Sequence, residues 1–195
     1  MDRRRKLKVK SSGGNIKVSN KWTVIVTILA FVLSVSITAL TEGAENLSNL
    51  VAISVLFLIV VLGILFDIIG VAVSTASEEP FHAMAAKKIG GAKASIKIIR
   101  SAQQISSLCN DVIGDIAGIV SGAMTAAVVA KITYGAESFR VMFTELFLTG
   151  LVAAVMIGGK AAGKGLAMTN NNMIVFILGK IIYFFESIFT FKKKR

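Results

Sequence analysis

Two aspartates stand four residues apart in a long apolar stretch of the chain. Asp111 and Asp115 are the only acidic residues between positions 105 and 131, and Asn110 and Gly114 adjoin them. Because residues four apart project from the same side of a helix, both carboxylates are expected on one face. Carboxylates inside membrane spans are rare and commonly functional. Carboxylate, amide and carbonyl oxygens are the ligands that hard cations such as Mg²⁺ prefer, so Asp111 and Asp115 are candidate cation ligands.

The same aspartates allow a second interpretation. Asp111 lies only about two turns into the stretch, so both side chains could be hydrated near its cytoplasmic end. They could equally pair with Lys97 or Arg100.

Three glycines continue the same helix at four-residue steps: Gly114, Gly118 and Gly122. In lipid, such a stripe lets helix backbones approach closely, and packing alone would explain it. A seam that brings carbonyl, amide and carboxylate oxygens together can also form an oxygen-lined cavity. The stripe is therefore compatible with packing and with a cation site.

The sequence lacks the residues that a zinc site or a common catalytic motif requires. Cys109 and His82 are each the only residue of their type, whereas a zinc site needs about four ligands. No Walker loop, nucleophile elbow or His-Glu-x-x-His motif occurs, so we expect no enzyme. The net charge of +11 resides in segments that flank apolar runs. That placement is typical of membrane topology and anionic lipid rather than of nucleic-acid binding.

Apolar runs must position these residues. Hydrophobic residues make up 54% of the 195-residue chain, against about 45–50% in soluble domains. Four runs reach the roughly 20 residues that a membrane-spanning helix needs: 22–40, 50–76, 105–131 and 141–159. Basic clusters fall on one side of these runs and acidic loops on the other, which indicates cytoplasmic N- and C-termini. The prediction is an all-α, multi-pass protein of the plasma membrane with four transmembrane helices and additional interfacial helices.

The remaining segments are shorter or more strongly charged. Residues 1–21 are predicted to form a basic cytoplasmic arm, and an uncleaved anchor over 22–40 is favoured over a signal peptide because the apolar run is too long. Residues 78–104 are typical of one basic amphipathic helix in the cytoplasmic interface, with Ser77 as its N-cap. A fifth run, 173–191, contains Lys180 and precedes the basic tail 192–195. An interfacial helix is favoured there over a fifth span, because a charge at the bilayer centre costs about 2.5–3.5 kcal/mol.

The second run is longer than a bilayer requires. From Leu50 to Ala76 it would extend about 40 Å as a helix, against a hydrocarbon core of about 30 Å. It must tilt, bend or emerge, and small and hydroxyl residues toward its end (Gly70, Ser74, Thr75, Ser77) predict a break before the amphipathic helix.

Several short motifs resemble one family. Ser-Thr-Ala-Ser-Glu at 74–78, followed by Gly91-Ala92-Lys93, is similar to the first motif of the CorB/CorC/cyclin M (CNNM) transmembrane domain. Asn110, in Ser-Leu-Cys-Asn-Asp-Val, falls where that family has Gly-Asn-Thr. The segment 159–167 aligns with its Gly-Glu-x-x-Pro-Lys-x-x-Ala. The resemblance covers about residues 55–190, within a transmembrane domain predicted over 22–191 with 22–40 as an extra first span.

The resemblance implies a homodimeric transporter of divalent cations, Mg²⁺ and also Co²⁺, with the transported ion bound between three spans. By position, it implies Ser77 and Asn110 as ligands and Gly159 as a carbonyl ligand. Asp111 and Asp115 join this set from the local chemistry alone.

Two departures from the family pattern bear on function. Lys160 stands where the family has Glu, and Gly163 where it has Pro. No cystathionine-β-synthase-type regulatory pair follows in the sequence, so the resemblance implies a divergent member of the family without that pair. An ammonium beside a cation site would repel Mg²⁺ or occupy the site by pairing with Asp111 or Asp115. The alternative is therefore a non-transporting scaffold or partner subunit whose ion site Lys160 closes. A third hypothesis, that the chain is a small holin-like or antiporter subunit, rests on hydropathy alone.

Overall fold

The computed structural model describes residues 20–42, 48–135 and 137–193, and all the regular elements in these ranges are helical. Most of the predicted basic arm, the acidic loop around Glu45 and the last two residues of the basic tail lie outside the described residues. The helices are α1 (Asn20–Glu42), α2 (Asn49–Thr75), α3 (Glu79–Ala86), α4 (Ala92–Arg100), α5 (Ala102–Ser107), a π-helical segment (Leu108–Gly114), α6 (Asp115–Ile132), α7 (Ser138–Thr169) and α8 (Asn171–Lys193). The predicted all-α architecture is confirmed.

Five helices in the described residues are long and apolar enough to cross a membrane. Four of them contain the predicted spans: α1, α2, the continuous rod formed by α5, the π-helical segment and α6, and α7. The fifth is α8, which contains the run that the charge pattern assigned to the interface. Length and composition thus add one candidate span to the four that were predicted.

The long second run ends where a break was predicted. Helix α2 continues through Gly70 and stops at Thr75, where Ala76 takes an extended conformation with ψ 150°. The Asn171 amide at the start of α8 donates to the Thr75 carbonyl at 2.8 Å. This bond satisfies one of the terminal carbonyls that a helix end leaves without a partner.

The single amphipathic helix predicted over 78–104 is wrong. The chain forms α3 and α4 instead, separated by a turn in which Lys88 and Gly91 have positive φ values of 57° and 92°. Left-handed backbone of this kind cannot continue a right-handed helix. Helix α3 ends at Ala86, before the left-handed Lys88, and Gly91 enters the same conformation at little cost immediately before α4. Glu78, rather than Ser77, is the N-cap of α3.

Helix α2 is the central helix of the described bundle, in contact with α5, the π-helical segment, α6, α7 and α8. Its contacts with α6 and α7 are close because of glycine. A Cβ at Gly63 would lie 2.8 Å from the Ala117 Cβ, and one at Gly163 would lie 2.6 Å from Ile68 Cγ1. These glycines, and not the predicted stripe on α6, make the tight helix approach.

Helices α3, α4 and α8 pack around the end of α2. Val73, Phe81, Ile98 and Val175 form one buried cluster that joins α2, α3, α4 and α8. Helix α1 contacts the other elements through a separate cluster with Val112, Ile116 and Val120. The π-helical segment is thus held between α1 and α2.

Candidate functional site

Two buried oxygen atoms lack a hydrogen-bond partner among the described residues, one on α2 and one on the π-helical segment. Asp67 is only 5% exposed, and its Oδ2 has no hydrogen-bond partner among the described residues. Asn110 Oδ1 is likewise buried without a partner. Burying a polar group without a hydrogen bond costs several kcal/mol, and burying a charge costs more. A cation bound to these oxygens would offset that cost.

Gly70 allows Asn110 to reach α2. The Asn110 carboxamide lies directly on the Gly70 Cα, since a Cβ there would overlap its Oδ1 and would lie 2.7 Å from its Cγ. Asp67 precedes Gly70 by three residues and therefore occupies the same face of α2. The glycine thus brings the amide oxygen of Asn110 to the face that carries the buried carboxylate.

The π-helical geometry determines where Asn110 points. A π-helix pairs residues five apart and accommodates one more residue per turn than the flanking α-helices, and such segments are frequent at functional sites. Leu108–Gly114 has this geometry. It places Asn110 toward α2 and leaves Asp111 exposed on the outside of the bundle. The change from α- to π-helical geometry at Leu108 could not be predicted from the sequence.

Lys160 projects from α7 toward the end of this segment. Its ammonium donates a hydrogen bond to the Gly114 carbonyl at 3.1 Å and lies 4.0 Å from Asp115 Oδ1. The predicted approach of Lys160 to one of the two aspartates is confirmed for Asp115. That carboxylate is 69% exposed whereas Lys160 is only 20% exposed, so the carbonyl is the closer and better-enclosed partner.

The other predicted ligands lie apart from the Asp67–Asn110 pair. Asp111 accepts a hydrogen bond from the Ser107 hydroxyl at 2.8 Å. Ser77 is exposed beyond the end of α2, its N–H donating to Asn172 Oδ1 at 3.1 Å. Gly159 lies inside continuous α7, where its carbonyl serves the helix's own ladder and its Cα packs on Ile64. No described hydrogen bond connects these three residues with Asn110.

The cations proposed as partners of Asp111 pair elsewhere. Arg100 Nε lies 3.3 Å from Glu78 Oε2, and Lys97 Nζ lies 4.0 Å from Glu186 Oε1. The hydrogen bond from His82, followed by the interaction with Arg100, holds the pKa of Glu78 below its ordinary value of 4.5. Glu78 therefore joins the start of α3 to the end of α4.

The glycine stripe of α6 lines an open groove toward α7. The groove has a volume of about 480 Å³ and is bordered by Gly114, Gly118, Gly122, Met156 and Lys160. A Cβ at Gly118 would make an ordinary contact with Met156 at 3.8 Å, and one at Gly122 would meet nothing within 4 Å. The Lys160 ammonium lies at the Gly114 end of the groove, where it donates to the Gly114 carbonyl.

The donor set resembles a hard-cation site of few ligands. Within the described ranges, no three His, Cys, Asp or Glu side chains converge as a metal cluster would require. One carboxylate with an amide oxygen suits an ion such as Mg²⁺, which keeps several of its waters and uses one or two carboxylates. Asp67 was not among the predicted ligands, although its position as the only charge in an apolar run was visible in the sequence.

Comparisons of the chain with protein-family models, with curated proteins and with solved structures find no match. The resemblance to the CorB/CorC/cyclin M domain therefore stays a prediction carried by its short motifs.

Proposed function

We propose that this chain is a divalent-cation transport or efflux protein of CorB/CorC type, with Mg²⁺ as the leading substrate and Co²⁺ as the second. The observation that carries the proposal is the pair of buried, unpartnered oxygens of Asp67 and Asn110. Oxygen ligands at a helix contact inside an apolar bundle are what a passing hard cation needs. In this proposal the Asp67 carboxylate supplies charge, and the Asn110 amide orients the partly hydrated ion.

The proposed arrangement in the membrane follows the charge pattern. Four helices cross, the N- and C-termini lie in the cytoplasm, and α3, α4 and α8 lie at the cytoplasmic interface of the plasma membrane. Two observations support an interfacial α8: its contacts with α4, and the hydrogen bonds of Asn171 and Asn172 at the end of α2. A homodimer is proposed from the family resemblance.

The alternative is a non-transporting scaffold or partner subunit. Its support is the Lys160 ammonium on the Gly114 carbonyl at 3.1 Å, one turn along the helix from Asn110. A fixed positive charge there would repel a divalent cation and would replace it as the partner of the carbonyl. Asp115 would then serve as the counter-ion of Lys160.

Divalent-cation binding to the full chain in detergent separates the two proposals. Binding to the folded state alone stabilises it by about 2.7 kcal/mol at a concentration one hundred times the Kd. We expect a Mg²⁺-dependent rise in the unfolding temperature of the wild type that Asp67→Asn and Asn110→Ala each abolish. Glu79→Gln is the control, because it neutralises an exposed carboxylate at the start of α3. Flux of Mg²⁺ into proteoliposomes should show the same ranking.

Lys160 variants test the closed-site alternative. Lys160→Glu adds a carboxylate beside the Gly114 carbonyl and should strengthen the Mg²⁺ response, whereas Lys160→Ala should lower stability by removing the hydrogen bond. The transport proposal is wrong if neither the wild type nor Lys160→Glu responds to Mg²⁺ or Co²⁺ and Asn110→Ala changes nothing. The scaffold then becomes the better account.

A further inference from the structure

A second groove lies at the turn between α3 and α4, where α8 passes over it. It has a volume of about 510 Å³, and its lining includes Lys88, Lys93, Lys97, Tyr183 and Glu186. None of these residues belongs to the Asp67–Asn110 site. The groove brings three ammonium groups, one from the turn and two from α4, to one concave surface.

The charge in this groove is incompletely neutralised. Lys97 and Glu186 approach to 4.0 Å, but their side chains are 76% and 57% exposed, and exposed pairs of this kind are weak. Among the described residues, no carboxylate pairs with Lys88 or Lys93. Three cations therefore face one anion, and a phosphate group would supply the missing negative charge.

The backbone beneath the lysines is fixed by close packing. A Cβ at Gly91 would lie 2.9 Å from the Lys180 N, and one at Gly90 would lie 3.0 Å from the Tyr183 ring. The buried Ser95 hydroxyl donates to the Gly91 carbonyl at 3.1 Å or to the Val175 carbonyl at 3.3 Å. Lys88 in the turn and Lys93 in the first turn of α4 thus project from backbone whose position against α8 is set, which lowers the entropy lost when they bind an anion.

The groove opens beside apolar surface. Ile89 of the turn is 40% exposed. On α8, the neighbours of Tyr183 are large, apolar and exposed: Ile181, Ile182, Phe184 and Phe185. A ligand that is anionic at one end and apolar at the other would satisfy both surfaces.

We propose that this groove binds the headgroup phosphate of an anionic membrane lipid, with the acyl chains along the exposed face of α8. Basic pockets between helices on the cytoplasmic side of membrane proteins recognise such headgroups. Lys88 and Lys93 contact the phosphate, Tyr183 borders the glycerol region, and Glu186 limits affinity by competing for Lys97. The proposal does not depend on cation transport at the other site.

Lipid binding can be measured by native mass spectrometry of the full chain in detergent, titrated with phosphatidylglycerol or phosphatidylcholine. Phosphatidylglycerol should bind more tightly. Lys88→Gln/Lys93→Gln should weaken that binding about thirtyfold, as expected for two lysine contacts near an anionic lipid. The matched control is Lys87→Gln/Lys164→Gln, which removes the same charge from exposed positions outside the groove and should leave binding almost unchanged. Glu186→Gln should bind phosphatidylglycerol more tightly, so this variant tests the groove by a gain of affinity and not by a loss.

Three results would overturn the proposal. The first is an equal loss of phosphatidylglycerol binding in the groove and control variants, and the second is equal affinity for the two lipids. The third is binding of inorganic phosphate alone with displacement of phosphatidylglycerol, which would indicate a free-phosphate site. Unfolding temperatures measured without lipid identify a groove variant that has lost its fold. In that case the decision rests on Glu186→Gln, and no gain in phosphatidylglycerol affinity would contradict the proposal.

Discussion

Replacement of Gly70 by alanine puts a methyl group onto the carboxamide of Asn110. Because the new Cβ would lie 2.7 Å from Asn110 Cγ and overlap Oδ1, the amide must turn away or α2 must move. Overpacking of this kind costs about 1–3 kcal/mol, while alanine gains about 1 kcal/mol over glycine in helix propensity. We therefore expect Gly70→Ala to be destabilised by roughly 0–2 kcal/mol, and to lose its Mg²⁺ response because Asn110 is displaced.

Gly122→Ala is the matched control. It makes the same change inside α6, where a Cβ would meet nothing within 4 Å, so only the propensity gain of up to about 1 kcal/mol remains. The two variants should differ by about 1–3 kcal/mol in unfolding free energy, measured by denaturant titration in detergent micelles. Gly70→Ala/Asn110→Ala should recover most of the loss, since the side chain that clashes is gone; a double-mutant cycle isolates this coupling. Equal stability of Gly70→Ala and Gly122→Ala would refute the placement of Asn110 on Gly70.

Two further predictions concern acid stability and topology. Because the pKa of Glu78 is lowered in the folded protein, its stabilisation should be complete above the ordinary value of 4.5 and should disappear as pH falls through the lowered pKa. The gap in unfolding temperature between wild type and Glu78→Gln should therefore close in acid, and a gap that is constant with pH would contradict this origin. Cysteine labelling in cells should find positions near 45 and 137 outside and positions near 93 and 193 inside. External labelling near 193 would give five spans and a transmembrane α8.

The apolar runs predicted the long helices well, because twenty consecutive apolar residues can satisfy their backbone in lipid only as a helix. Helix ends were predicted less well where no residue stops the helix. The fourth span was expected to end at Gly159, where charge begins, but α7 continues to Thr169. Lys160 and Lys164 change the polarity of the helix surface without interrupting its hydrogen bonds. Hydropathy therefore marks where a span leaves lipid and not where its helix ends.

The sequence drew attention to some residues of the candidate site and not to others. Asn110 was identified from its motif, but the buried carboxylate of Asp67 on α2 was missed because Asp67 was treated as an interruption of an apolar run. Asp111 and Asp115 were expected to act together from their spacing. The π-helical segment places one of them against Ser107 and the other near Lys160. A spacing argument holds only for regular helices, and the sequence carries no signal of this irregularity that we could have read.

The burial of Asp67 has a consequence for how the protein is made. An aspartate at the centre of an inserting helix opposes insertion by about 2.5–3.5 kcal/mol, which is an upper limit for Asp67 because it lies nearer the Thr75 end of α2. Each Leu, Ile, Phe or Val favours insertion by about 0.3–0.6 kcal/mol. The many such residues of α2 outweigh the one carboxylate, so this helix can enter the bilayer before the later helices exist. In the proposed membrane arrangement, Asp67 would then face lipid until the later helices of the bundle have been made and bury it. The carboxylate is thus most vulnerable during biogenesis, and variants that delay the docking of α6 should be degraded as nascent chains rather than accumulate as inactive protein.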